Sequence, residues 1–536
     1  MNRRDILRLA AAGGAGIAWD LARGGLELET RQPTTIPGFE WEAATIADLR
    51  AALRSGRATA VSLTQAFLDR ITAIDKNGPS LNAVIELNPD ALSIARDLDD
   101  KCRAGVPPGP LHGLPILIKD NLDTHDRMTT TAGSLALAGF IAPRDSFVVR
   151  QLRGAGAVII GKSNLSEWAN FRGEASTSGW SGRGGLTRNP YALDRNPSGS
   201  SSGSAVAVAA SLCAGAIGTE TDGSIVSPSS ACGVVGIKPT LGLVSRSGII
   251  PISRSQDTAG PIARTVTDAA ILLGVIAGAD PADAATEQSR GKLQEDYTRF
   301  LSPDGLRGSR IGVARRFFTG GSKAGAVLEA ALRVMRERGA TLIDPVDVPS
   351  LEKLGDSEMQ VLLYEFKAGL NGYLAASAPA APVKNLAEII EFNQRNAARE
   401  LLYFGQETML RAQDKGPLTE QPYIDALQQC RRLTRSEGID ATMDGLQLDA
   451  IVAPAGGPAG KTDLIYGDRD IGGSSGPAAI AGYPNITVPA GQVSGLPLGL
   501  SFFGRAFSEP VLLKLAFAFE QATKAFMPPR FLETVG

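Results

Sequence analysis

Histidine is nearly missing from this chain. Its 536 residues hold two, His112 and His125, and both precede the serine-rich centre of the sequence. That scarcity argues against most imidazole-based metal and triad chemistry, and each histidine reads as a surface or packing residue. Cysteine is scarce too, and Cys102, Cys213, Cys232 and Cys430 show no C-x-x-C spacing. Neither a zinc site nor a disulfide framework follows, and free buried thiols are the expected state of Cys213 and Cys232. Charge of one sign is absent as well, since 54 Lys and Arg stand against 56 Asp and Glu. Nothing in that balance favours nucleic acid or an anionic membrane as a partner. The mild apolar run at residues 9–19 is too short to span a bilayer.

What is present is ordinary for a soluble enzyme, with 43% hydrophobic and 21% charged residues. The length suits a single large α/β sheet carrying an inserted helical subdomain. Arg3-Arg4 ahead of a weakly apolar stretch resembles a twin-arginine export signal over residues 1–25. A mature protein in the periplasm or secreted is the expectation, with no clean A-x-A motif to mark a cleavage point.

Residues 45–105 are largely helical in pattern, with Thr45 and Ser62 as N-caps and Ala83 to Leu87 as a short strand. Three aliphatic runs then end in lysine: Pro115 to Lys119, Ala157 to Lys162, and Val234 to Lys238. Each reads as a buried strand whose last residue emerges at the end of a sheet. Helices are predicted near 146–154 and 265–278, strands again at 448–454, 485–489 and 498–503, and a closing helix at 510–522. Strands alternating with helices predict an α/β fold with a mixed central sheet flanked by helices. The segment 283–447 differs, because long helical patterns such as 386–413 dominate it, and it reads as an inserted helical cap.

The chain is organised around residues 197–224. Pro197-Ser198-Gly199-Ser200-Ser201-Ser202-Gly203-Ser204 leads into an Ala/Val segment, and Gly218-Thr219-Glu220-Thr221-Asp222-Gly223-Ser224 closes the stretch. Two Ser/Gly turns flanking an apolar segment bring hydroxyls together, and glycine lets backbone N–H groups approach a developing oxyanion. Residues 156–163 match the P-loop letters, but along a strand rather than in a loop. Residues 199–203 match G-x-S-x-G, yet that chemistry needs a later histidine and none follows His125. A serine nucleophile with a lysine base remains, and Lys119, Lys162 and Lys238 all qualify, since desolvation lowers the pKa of an amine at the mouth of an apolar strand.

Taken as a set, the Lys119 strand, the Ser200 turn, the Gly218 to Ser224 turn and Cys232-Gly233-Val234-Val235-Gly236-Ile237-Lys238-Pro239-Thr240 closely resemble the amidase signature family. The resemblance continues through Gly482-Tyr483-Pro484 and Gly495-Leu496-Pro497-Leu498-Gly499. The segment Ser166 to Gly173 is most similar to bacterial peptide amidases, and its other reading is a helix packing Trp168 and Phe171. The resemblance implies Lys119 as base, Ser200 in a cis peptide as the bridging serine, Ser224 as nucleophile, and backbone oxyanion donors at Thr221, Asp222 and Gly223. It implies no metal and no organic cofactor, and hydrolysis of a carboxamide bond, expected to be the C-terminal amide of peptides, with release of ammonia. Many members carry glycine where this chain has Asp222, so that side chain is expected to turn away from the bound carbonyl. Alternatives are a broader acylamidase or carbamate hydrolase with the same residues, or a solute-binding protein without catalysis. The Gly472 to Gly476 stretch is expected to line the substrate pocket.

Overall fold

Short aliphatic runs form the frame. The computed structural model describes residues 38–535 apart from 319–321, 378 and 470. The expected export segment, 1–25, lies outside the described residues. Strands β1 (Val84–Leu87), β2 (Pro115–Lys119), β3 (Val158–Ser163), β4 (Gly215–Glu220), β5 (Val235–Lys238), β6 (Thr258–Ala263), β7 (Arg310–Val313), β8 (Thr341–Ile343), β9 (Ala450–Pro454), β10 (Asn485–Val493) and β11 (Leu496–Phe503) make one 11-stranded sheet. Its order is β1-β3-β2-β4-β6-β5-β10-β11-β9-β7-β8. The sheet is mixed: β3, β2 and β4 run parallel, while β4, β6, β5, β10 and β11 pair antiparallel. Strands β2, β3, β4, β5, β6, β9 and β11 are buried at every position. Burial on both faces is why β2, β3 and β5 read as continuous apolar runs rather than alternating ones.

The parallel pairing of β2 with β4 positions the functional turns. Ile116 lies opposite Gly215 and Ile118 opposite Ile217, so Lys119 and the turn after Glu220 leave the sheet at the same edge. Between β3 and β4 the chain folds into α1 (Ser202–Ala209), a helix buried along its whole length. Its close seating depends on Gly203, whose N–H donates to Asn164 C=O at 2.9 Å. A Cβ there would stand 2.2 Å from Ala83 O and 2.5 Å from Asn164 O. The far end of α1 is held by the buried Arg264, which donates to Val208 C=O at 3.2 Å and to Cys213 C=O at 2.9 Å. After the second turn comes α2 (Val226–Ala231).

The 283–447 segment divides. Strands β7 and β8 lie inside it and extend the central sheet, joined by the helix Lys323–Glu337. These strands are four and three residues long, too brief to display a period against the helical pattern around them. The helical part of the segment follows them. It includes α3 (Ser357–Ala376), Leu386–Arg395, Ala397–Glu400, Glu407–Gln413 and α4 (Gln421–Thr434). Phe366, Leu370, Leu374, Ile389 and Met409 pack against Trp168, Phe171, Ile250 and Ile252 of the loops at the site edge. The pattern at 386–413 is thus three helices rather than one. Helix α5 (Ser475–Ala481) follows β9. Among the described residues, no helix is long and apolar enough to cross a membrane.

Gly203→Ala tests the seating of α1. The added methyl displaces the helix from β1 and β3, and overpacking of this kind costs about 1–3 kcal/mol. A lowered denaturation midpoint, read by urea unfolding, is the expected outcome; an unchanged midpoint contradicts the close approach.

Candidate active site

Lys119, the last residue of β2, is buried completely. Its Nζ lies 2.7 Å from Ser200 Oγ, 2.9 Å from Thr219 Oγ1 and 3.2 Å from Thr219 C=O. Asn121 Nδ2 donates to the same Thr219 Oγ1 at 3.0 Å. Nζ donates in all three contacts, and once uncharged it keeps two N–H donors for Thr219 and has a lone pair to offer the Ser200 hydroxyl. Burial brings the Lys119 pKa down to about 7, against the opposing pull of the Asp257 and Glu220 carboxylates.

The Gly199–Ser200 peptide bond is cis. Ser200 C=O accepts from the Ser166 N–H at 3.1 Å, and the Ser201 N–H donates to Ser224 C=O at 3.1 Å. The Ser201 hydroxyl accepts from the Thr219 N–H at 3.2 Å and donates to Thr219 C=O at 3.1 Å. Hydroxyls that read in sequence as one cluster therefore divide their work, with Ser201 stitching the first turn to β4. The second turn is locked from below. Glu220 Oε2 accepts the N–H groups of Ile225 at 2.7 Å and Val226 at 3.0 Å, capping the entry to α2. Gly223 takes φ +76°, a conformation side chains rarely adopt. Thr221 Oγ1 donates to Asp257 Oδ1 at 2.6 Å, while Asp257 Oδ2 takes the N–H groups of Ile252 and Ser253 at 2.8 Å each. Burial raises the Asp257 pKa to about 6 despite these donors. The Asp222 carboxyl lies toward the 472–476 stretch, its Oδ2 3.6 Å from where a Cβ on Gly476 would stand, and Ser224 is buried to 7% exposure.

Lys119, Ser200 and the turn carrying Thr221, Asp222, Gly223 and Ser224 thus gather at one edge of the sheet. The other two lysines are equally buried but serve elsewhere. Lys162 donates to Leu122 C=O at 2.7 Å and Thr130 Oγ1 at 3.0 Å, and Lys238 donates to Tyr483 C=O at 2.6 Å. The P-loop letters at 156–163 run into β3 and make no phosphate loop. All four cysteines are free, and only Cys102 among them is exposed. Residues 167–170 form one 3-10 turn with Trp168 and Ala169 at positive φ, not a regular helix.

Several participants went unread in the sequence. Asn121 and Thr219 sit within the motifs but have no chemistry that marks them; Glu220 and Asp257 looked like ordinary acidic residues in loops. The Gly472 to Gly476 stretch, expected to line the pocket, approaches the second turn instead: Ser475 Oγ would stand 3.1 Å from a Cβ on Gly223, and none of its residues is in the wall of the cavity beside the lysine. A cavity of about 320 Å³ adjoins the lysine, lined by Asn121, Thr219, Thr221, Asp257, Ile252 and Tyr373 among others.

Comparison with known proteins decides the family. The family profile described as Amidase matches residues 62–513. The chain belongs to the amidase signature family. A protein of Arabidopsis thaliana described as a probable amidase is 44% identical over 507 residues, covering 92% of this chain and 93% of that one. The structure of native peptide amidase from Stenotrophomonas maltophilia superposes on this amidase with a TM-score of 0.89 at 52% identity, covering 92% of this chain and 100% of the other. An amidase family protein from Bacillus anthracis follows at a TM-score of 0.83 and 37% identity, with 91% and 92% covered. This amidase is an amide hydrolase on the central mixed sheet of that family, and the reading as a non-catalytic solute-binding protein falls.

A base at this position acts only when uncharged. Modification of Ser224 by a fluorophosphonate is expected to quicken as pH rises through about 7, where Lys119 loses its proton, and to fade below it. A rate that stays flat from about pH 5 to about pH 9 contradicts the role.

Proposed function

We propose that this amidase hydrolyses the C-terminal carboxamide of peptides and releases ammonia, by way of an acyl-enzyme on Ser224. The observation that carries the mechanism is the 2.7 Å contact between the buried Lys119 amine and Ser200 Oγ. Ser224 Oγ bonds to the carboxamide carbon as its proton passes to Ser200 and the Ser200 proton passes to Lys119. The carbonyl electron pair becomes an oxyanion that meets backbone N–H groups of Thr221, Asp222 and Gly223. Collapse breaks the C–N bond, and the proton held on Lys119 returns through Ser200 to the leaving nitrogen, which departs as ammonia. Water then adds to the Ser224 ester, its proton travelling the same path, and the carboxylic acid is released.

The substrate class is supported by the likeness to peptide amidase and by the cavity beside the lysine, whose wall includes Ile250, Pro251 and Ile252. An apolar wall of this kind suits a peptide side chain next to the scissile group. Ammonia release from peptide amides, set against cleavage of aryl anilides and carbamates, separates this reading from a broader acylamidase or carbamate hydrolase. Export by the twin-arginine route is supported by Arg3-Arg4, and replacing both with lysine is expected to keep the enzyme in the cytoplasm.

Ser224→Ala removes the nucleophile and is expected to lower turnover by at least ~10³-fold with the fold intact. Lys119→Ala is expected to do the same, and Lys119→Arg not to rescue it, because a guanidinium stays charged. Steady-state kinetics with circular dichroism checks both; turnover retained by folded Ser224→Ala refutes the assignment.

A further inference from the structure

The loop at 252–257 forms part of the cavity wall and is held from both sides. It runs from Ile250, whose N–H donates to Asn121 C=O at 2.9 Å, to β6, whose first residue Thr258 lies opposite Glu220 of β4. Ile252, Arg254 and Asp257 line the cavity. On one side the loop is tied twice to the turn before Ser224. Asp257 gathers the Ile252 and Ser253 N–H groups on one oxygen and the Thr221 hydroxyl on the other, and Gln256 Nε2 donates to Thr221 C=O at 3.3 Å.

On the other side a single carboxylate grips it. Glu365, in the middle of α3, is 2% exposed, and Val361, Leu362, Leu363 and Phe366 beside it are buried. Its Oε2 accepts from Ser253 Oγ at 2.6 Å, from Ser255 Oγ at 2.9 Å and from the Ser255 N–H at 3.0 Å. Its Oε1 accepts from the hydroxyl of Tyr423 on α4 at 2.7 Å. Four neutral donors thus converge on it, while Arg254 Nε stands 3.7 Å away on an exposed side chain and adds little. Burying a carboxylate is costly, and an apolar side chain would seal this face of α3 without that cost. What the acid adds is direction, because it fixes where two serines of the loop stand.

We propose that Glu365 is a positioning residue for hydrolysis at Ser224: it sets the 252–257 loop, and the loop, through Asp257, sets Thr221 in the oxyanion turn. The inference rests on the reading of Thr221, Asp222 and Gly223 as that turn. Glu365 itself is not in the cavity wall. It acts through a relay of hydrogen bonds, from its carboxylate to Ser253 and Ser255, from the Ser253 N–H to Asp257, and from Asp257 to Thr221 Oγ1, with every link 3.0 Å or shorter. A displacement of about 1 Å in a group that meets the transition state costs up to ~100-fold in rate, so slack anywhere along the relay is read in kcat.

The test compares labelling of Ser224 by a small fluorophosphonate with ammonia release from a peptide amide, in the wild type, Glu365→Ala, Glu365→Gln and Thr221→Val. Glu365→Ala frees the loop and is expected to slow labelling and lower kcat on the order of 10-fold, with KM little changed. Glu365→Gln keeps an oxygen for the two serines while Tyr423 turns its hydroxyl to accept, and it is expected to recover most of that rate. Thr221→Val removes the hydroxyl that Asp257 holds. Adding Glu365→Ala to it is expected to slow labelling far less than in the wild-type background, because both changes cut one relay. A purely structural tie would lower the denaturation midpoint and leave both rates of the folded enzyme intact. That result overturns the proposal, as do effects of the two substitutions that multiply, or a Glu365→Ala enzyme changed in KM alone. Should Glu365→Ala not fold, Ser253→Ala combined with Ser255→Ala removes two of the same bonds from the loop side and carries the same expectations. A wild type left unlabelled at Ser224 instead overturns the catalytic reading beneath the proposal.

Discussion

The burial of one amine organises this enzyme. Lys119 ends a strand that is buried along its length, and its nitrogen has no water to hold a charge. Everything around it answers that constraint. Thr219 offers two oxygens, Asn121 fixes the Thr219 hydroxyl, and Ser200 supplies a hydroxyl at 2.7 Å. Two acids, Asp257 and Glu220, act on the lysine from a distance but spend their hydrogen bonds on backbone N–H groups and on Thr221. They keep the amine from being neutral at every pH without pairing with it directly. Had either carboxylate touched the nitrogen, the ion pair would have held the proton and removed the base.

Each group gathered at this end of the sheet has a neighbour that fixes it. Ser201 ties the first turn to β4, Glu220 holds the entry to α2, and Asp257 holds Thr221 and the loop at 252–253. This division explains why so many serines and acids crowd a short stretch. Rigid support by hydrogen-bonded neighbours is what keeps a reacting group within the small tolerance that catalysis allows.

Much of the frame was legible in the sequence. Runs such as Ile116-Leu117-Ile118 and Val158-Ile159-Ile160 declare buried strands, and the absence of any histidine after His125 leaves lysine as the candidate base. Three lysines had equal claims by pattern, because each ends an apolar strand; only sheet order distinguishes them, and sheet order is a long-range property. Strands β7 and β8 were hidden by their length, and β4 and β6 by glycine and proline, as in Thr258-Ala259-Gly260-Pro261-Ile262-Ala263. Those residues disfavour a strand in isolation. Here they fit a crowded centre, where a Cβ on Gly260 would stand 2.0 Å from Ile237 O.

The pairing of β2 with β4 has an evolutionary consequence. Side chains alternate across a strand, so sliding one of the two by a single residue would send the lysine to the opposite face, whereas lengthening the loops between them changes no distance at their tips. The ruler for this chemistry is the offset that sets Ile118 against Ile217. Relatives can therefore diverge widely in the intervening hundred or so residues, acquiring new substrate walls, provided that offset is inherited unchanged.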